Sequence, residues 1–144
     1  MAQIGGWKQK KKRLNFGIRE MGINKKKRER VWLKYDKHCA YCGKELEYKE
    51  MQVDHIRPKK IFKWTKGTKP DYDVDDEINL NPSCRRCNHY KRTRTLEGFR
   101  KLMITLHERI NEHYINKVAI DYGVITEVKP FDGLFYFEKV KKNG

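Results

Sequence analysis

The sequence predicts an α+β domain built around a four-cysteine metal site. Three features carry that expectation. Cys39-x-x-Cys42 and Cys84-x-x-Cys87 have the spacing of zinc knuckles, residues 51–56 (Met-Gln-Val-Asp-His-Ile) alternate like a short strand, and apolar residues after Thr95 recur at helical spacing. Four thiolates suit a tetrahedral structural Zn²⁺, and a reducing compartment favours metal ligation over disulfides. Two knuckles in one short chain argue against the competing reading, redox pairs or buried free thiols. A chain of 144 residues is enough for one domain. With 37% charged and 38% hydrophobic residues and a mean hydropathy of -0.97, it can bury only a modest core, which a metal staple would reinforce.

The charge points to a polyanionic partner. A formal net charge of +15 and a pI near 9.7 attract nucleic acid over a wide area, and binding of that kind falls steeply with salt. No apolar run is long enough to span a bilayer, and the start, MAQIGGWKQKKKR, lacks the apolar stretch of a signal peptide. The expectation is a cytoplasmic protein with no membrane partner.

In chain order, residues 1–24 read as a flexible basic arm and residues 25–144 as one domain. Its core lies at about 36–95, followed by a C-terminal helical region and strand at 95–144. Residues 1–30 carry eleven Lys or Arg against two Glu, interrupted by Gly5, Gly6, Gly17 and Gly22. Residues 25–36 suggest a short helix with Val31, Trp32 and Tyr35 on one side, packed over the knuckle. In the strand at 51–56, Met51 and Val53 face inward and Pro58 ends it. The basic stretch from Arg57 to Lys69, with Phe62 and Trp64, reads as a loop facing nucleic acid. The acidic run Asp71, Asp73, Asp75, Asp76 and Glu77 begins like a calcium loop, yet lacks its central Gly and terminal Glu. It reads as a solvated turn.

Asn81-Pro82-Ser83 suggests a helix start, with Asn as cap and Pro at the first position. A helix over 84–91 would then place Cys84, Cys87, Asn88 and Lys91 on one face. Thr95 can cap a second helix whose stripe, Phe99, Leu102, Met103, Leu106 and Ile110, is core. His107 and His113 have no ligand-spaced partner and are assigned to the surface or to satisfied core positions. A third helix is expected over 114–122, ending at Gly123, and a strand over 133–138.

Cys39-Ala-Tyr-Cys42-Gly43, Val53-Asp54-His55-Ile56-x-Pro58, Asn79-Leu80 and Cys84-Arg-Arg-Cys87-Asn88-x-x-Lys91 together resemble the HNH endonuclease signature in its four-cysteine form. The resemblance spans about residues 36–95. It implies a ββα-metal (His-Me finger) core that clamps one divalent cation, with flanking helices, and a setting among bacterial or phage nucleases. Many members carry His where this chain has Asn88. An Asn carbonyl is a hard-oxygen ligand, which tilts the expected catalytic cation toward Mg²⁺ or Mn²⁺. His89, next to it, would point about 100° away on a helix and ranks as a phosphate or solvent contact.

The chemistry can also be argued from the residues. Phosphodiester hydrolysis needs an activated water, charge stabilisation and a route for the leaving oxygen. His55 can serve as general base, while Asp54 and Asn88 can hold the cation against a non-bridging phosphate oxygen. Adjacent strand residues point to opposite faces, so a turn or bulge is expected at Asp54-His55 if both face the phosphate. Asn79 would fasten the loop back onto the hairpin and thereby steady the imidazole, the rival reading being an ordinary turn residue. Arg57, Lys59, Lys60, Lys91 and Arg92 are candidates for phosphate contacts. The expected activity is metal-dependent nicking or cutting of duplex DNA. The rival from another class is a non-catalytic, zinc-dependent nucleic-acid-binding module in which Asp54 and His55 are structural, and an RNase is a weaker third. Target sequence, oligomeric state and pathway do not follow from the sequence.

Overall fold

The computed structural model describes residues 23–64 and 72–143. The expected basic arm therefore lies almost wholly outside the described residues, as do the Phe62 and Trp64 side chains and the rest of the basic loop beyond them. In chain order the elements are α1 (Lys25–Leu33), β1 (Gln52–His55), α2 (Lys59–Trp64), a 3₁₀ turn (Glu77–Asn79), β2 (Leu80–Ser83), α3 (Arg85–Lys91), α4 (Leu96–Ile104), α5 (Leu106–Glu112), α6 (Tyr114–Asp121) and α7 (Tyr136–Asn143). The result is the expected α+β arrangement, and β1, β2 and α3 form a ββα unit.

Asn24 caps α1 by accepting from the Lys27 amide at 2.8 Å. The helix is shorter than expected, because Asp36 and Lys37 turn the chain with φ of 50° and 62°. Val31 and Tyr35 still reach the core, and the Trp32 indole donates to the Leu46 carbonyl at 2.7 Å. The knuckle follows. The amides of Cys39 and Gly43 bond to the carbonyls of Lys44 and Cys39 at 2.7 and 3.0 Å, and Gly43 sits at φ +76°. A Cβ at Gly43 would lie 2.6 Å from the Tyr136 ring, so glycine meets both the backbone and the space requirement.

β1 and β2 pair antiparallel, with Gln52 opposite Ser83, Val53 opposite Pro82, Asp54 opposite Asn81 and His55 opposite Leu80. This corrects two expectations. Asn81-Pro82-Ser83 is strand rather than helix start: Asn81 and Ser83 are fully buried, and the Pro82 carbonyl accepts from the Ala40 amide at 2.8 Å, tying the knuckle to the sheet. The cap falls to Cys84, whose sulfur accepts from the Cys87 amide at 3.4 Å, so α3 begins at Arg85. Nor is there a bulge at Asp54-His55, since the register stays one to one through both residues.

Regular alternation sends Asp54 and His55 to opposite faces. Gln52 and Asp54 share the face that α3 covers. There Lys91, with no exposed surface, places Nζ 3.2 and 3.1 Å from the two Asp54 oxygens and 2.9 Å from the His55 carbonyl. The Tyr41 hydroxyl also donates to Asp54. Burial raises the pKa of Asp54 and lowers that of Lys91, in each case outweighing the partner's charge, so burial disfavours both ions. The sign follows for stability. Asp54 favours folding most below its ordinary pKa and loses that contribution as pH rises through its raised value. The pair is therefore a device of specificity more than of net stability.

Thr95 caps α4 as expected, through the Gly98 amide at 3.0 Å. The anticipated continuous stripe to Ile110 is broken at Thr105 (φ -90°, ψ 3°), whose hydroxyl turns back to the Leu102 carbonyl at 3.2 Å. Phe99 is core and Leu102 and Met103 pack against it, whereas Ile110, beyond the break, is exposed. Residues 133–138 are not a strand. Glu138 accepts from the Phe135 amide at 2.8 Å, half of a capping box, and the Tyr136 and Phe137 amides bond to the knuckle carbonyls of Tyr41 and Ala40 at 3.1 and 2.9 Å. The alternating aromatics that resemble a strand instead build a ring cluster: Phe135 lies 5.3 Å from Tyr41 and 5.2 Å from Phe99. Arg100 clamps this segment through Glu138 at 2.6 and 2.8 Å.

The buried pair yields a stability test. Asp54→Ala strands the Lys91 ammonium and should cost about 3–5 kcal/mol in urea denaturation. The combined replacement Asp54→Leu with Lys91→Met should recover most of that loss, while Arg30→Ala, removing an exposed partner of Glu77, should change little.

Candidate active site and metal centre

The two cysteine pairs come together where the knuckle meets the start of α3. The sulfurs of Cys39, Cys42, Cys84 and Cys87 all lie within 4.8 Å of one another, with Cys42 and Cys84 3.9 Å apart. Zn–S bonds of about 2.3 Å in a tetrahedron place sulfurs about 3.8 Å apart, so the four fit a structural zinc. The Cys84 amide adds a hydrogen bond to the Cys39 sulfur at 3.3 Å. Hydrogen bonds from Cys42 and then Cys87 hold Cys39 far below the ordinary thiol range. Its contact with Cys39 pushes Cys42 up to about 11, and contacts with Cys39 and then Cys42 push Cys87 higher still. A divalent cation supplies the positive charge that four thiolates need. Among the described residues this is the one group of His, Cys, Asp or Glu close enough to hold a metal. His107 and His113 take no part.

On the opposite face of β1, His55 stands at the strand's last position with its side chain 16% exposed. Its Nε2 lies 2.7 Å from Asp75 Oδ1, and no partner for Nδ1 is found among the described residues. Asp75 belongs to the acidic run expected to be solvated, but it is 8% exposed, so that reading is corrected. Lys59 Nζ approaches the same carboxylate oxygen at 3.6 Å. Asn79, also buried, accepts from the Arg57 amide at 2.8 Å and donates to the carbonyls of Arg57 and Val74 at 3.1 and 2.9 Å. The Ile56 amide bonds to the Asn79 carbonyl at 2.8 Å. Asn79 thus fastens the two residues that follow His55 to the loop that precedes β2.

Asp54 and Asn88 are each engaged within the fold. Both oxygens of Asp54 are taken by Lys91, and Tyr41 adds a further bond. Its side chain is 5% exposed. Asn88 turns its amide nitrogen to Gln52 Oε1 at 2.7 Å. A hard cation collects six or more oxygens, and here the carboxylate is already neutralised by an ammonium in direct contact. The expected ligand role of Asp54 therefore does not fit, nor does a phosphate contact by Lys91, whose charge is fully buried. These outcomes share one cause, the regular strand that points Asp54 under α3.

The remaining basic candidates divide by exposure. Lys59, Lys60 and Arg92 are exposed, and Arg57 is half-buried. Arg85, Arg86 and His89 are also exposed along α3, a surface that the α3 sequence carried but that went unassigned beyond His89 and Arg92. Asp75 and Tyr41 were missed as well. One acid among five carries no local mark, and their partners lie 20 and 13 residues away.

No helix among the described residues is long and apolar enough to cross a membrane. No curated protein and no solved structure matches the chain. The family model described as HNH endonuclease matches residues 39–94. That span, which is similar to the HNH endonuclease family, holds both cysteine pairs, the Asp54-His55 strand end, Asn79 and Asn88.

Proposed function

We propose that the protein is a DNA endonuclease in which His55 acts as general base. The observation that carries the reading is the His55 imidazole itself. It is part-exposed at a strand end locked by Asn79, one ring nitrogen is engaged, and the other is free of partners among the described residues. Nδ1 accepts a proton from water, the resulting hydroxide oxygen bonds to phosphorus, and the bond from phosphorus to the departing 3′ oxygen breaks, that oxygen taking its proton from solvent. Exposed Lys59, Lys60, Arg85, Arg86 and Arg92 hold the phosphates. HNH nucleases use divalent metals, and Mg²⁺ or Mn²⁺ fits the assay. No step is assigned to such an ion at Asp54 and Asn88, because Lys91 holds the carboxylate.

Buried Asp54 is also what a non-catalytic, zinc-dependent nucleic-acid-binding module would carry. Incubating supercoiled plasmid with the purified protein and Mg²⁺ or Mn²⁺ separates the two readings. Relaxed or linear DNA is expected from the wild type, with a loss of about 10²- to 10⁴-fold in His55→Ala and DNA binding retained. Binding without cleavage would support the module, and wild-type cleavage by His55→Ala would remove the base from this site.

The cysteine cluster should hold one zinc per chain, measurable by elemental analysis. Structural zinc contributes roughly 10 kcal/mol or more to folding of small domains, so Cys→Ser at 39, 42, 84 or 87 should give insoluble or molten protein. Well-folded protein without zinc would contradict this. Binding to duplex DNA should weaken on the order of 10³-fold between about 50 and 200 mM salt, if six or more phosphates are contacted. A shallow slope in fluorescence anisotropy would show that the +15 charge is not spent on phosphates.

A further inference from the structure

The acidic loop before β2 is held more firmly than a solvated turn requires. Asp73 accepts from the Asp75 amide at 3.0 Å, and Lys27 Nζ donates to the Asp75 carbonyl at 2.9 Å. Asp76 caps the 3₁₀ turn through the Ile78 amide at 3.0 Å, and the Asn79 amide returns to the Asp76 carbonyl at 2.8 Å. Asn79 also binds the Val74 carbonyl. This webbing leaves one side chain of the loop, the largely buried Asp75, with its carboxylate against the edge of the His55 ring.

We propose that Asp75 is the positioning residue of His55, fixing both the rotamer and the tautomer of the imidazole. The inference rests on the reading of His55 as general base. An ionised carboxylate can only accept, so contact at 2.7 Å requires a ring proton on Nε2 and, in the neutral imidazole, leaves the lone pair on Nδ1. Nδ1 is the nitrogen with no partner among the described residues, hence the one able to take a proton from water. When it does so, the positive charge that develops on the ring lies in contact with the Asp75 carboxylate, while the Nε2 proton stays where it was. No bond to Asp75 forms or breaks. Lys59, 58% exposed, also approaches this carboxylate and can swing away without disturbing the pair.

A structural role for Asp75 would require only that the loop be tied to the end of β1, and the Asn79 side chain on the Arg57 backbone, with the Asn79 carbonyl on the Ile56 amide, already does that. The two roles separate in tautomer and turnover. Nitrogen-15 NMR of the zinc-loaded wild type near neutral pH should show His55 with its proton on Nε2. Asp75→Asn, which can offer an amide donor to Nε2, should weaken or reverse that preference. With plasmid or oligonucleotide substrate, kcat should fall about 10- to 100-fold, short of the 10²- to 10⁴-fold owed to the base itself, while KM stays near the wild-type value. A wild-type His55 protonated on Nδ1 would overturn the proposal even if the variant fails to fold. A folded Asp75→Asn protein with wild-type kcat would overturn it while leaving His55 as base. Absence of cleavage by the wild type, or full cleavage by His55→Ala, would instead remove the base and this role with it.

Discussion

The contact between Lys91 and Asp54 organises the ββα unit. It fixes α3 against β1 at one end, while the Asn88–Gln52 hydrogen bond fixes the same two elements one helical turn earlier. Helix residues 88 and 91 thus match strand residues 52 and 54, a register that neither element could set alone. An unpaired buried charge is too costly to leave, so sliding the helix by a single residue would be strongly opposed. The price of this specificity appears in the pKa directions, which show that burial disfavours both ions.

This clamp connects the two ends of the molecule. Cys84 and Cys87 sit at the N-terminal end of α3 and Lys91 at its C-terminal end, so the helix that contributes half of the sulfur cluster also sets the strand that ends in His55. Tyr41, inside the knuckle, touches Asp54 with its hydroxyl and packs its ring against Phe99 and Phe135. One side chain thereby couples metal site, ion pair and aromatic core. Loss of any of the three should loosen the other two, because each relies on the same few residues in a chain with little apolar material to spare.

The two faces of β1 divide the work. The inner face, Gln52 and Asp54, serves the architecture, and the outer end, His55, is left part-exposed, with the Lys59 ammonium reaching the same Asp75 carboxylate. Asn79 and Asp75 come from the connection that returns to β2, so the positioning of the imidazole depends on the path of a loop and not on the strand that carries it.

The sequence by itself determined the four-cysteine cluster, the α+β class and the helices that have local signals. Cysteine spacing, the Thr95 cap, apolar periodicity through Met103 and the Gly123 stop are short-range properties, written into consecutive residues. His55 and Asn79 were legible as candidates for the same reason, through their place in a motif. The tertiary structure decided the rest. Asn81-Pro82-Ser83 has the letters of a helix start and becomes a strand because Ala40 and β1 need its backbone. Phe135 and Phe137 alternate like a strand and begin a helix because the knuckle carbonyls accept the amides at its first turn. Lys91 passes for a phosphate contact until Asp54 is placed beneath it, and Asp75 is one acid among five until the loop folds onto His55. The physical reason is common to these cases: charge pairing and burial are long-range, and their partners are chosen by packing.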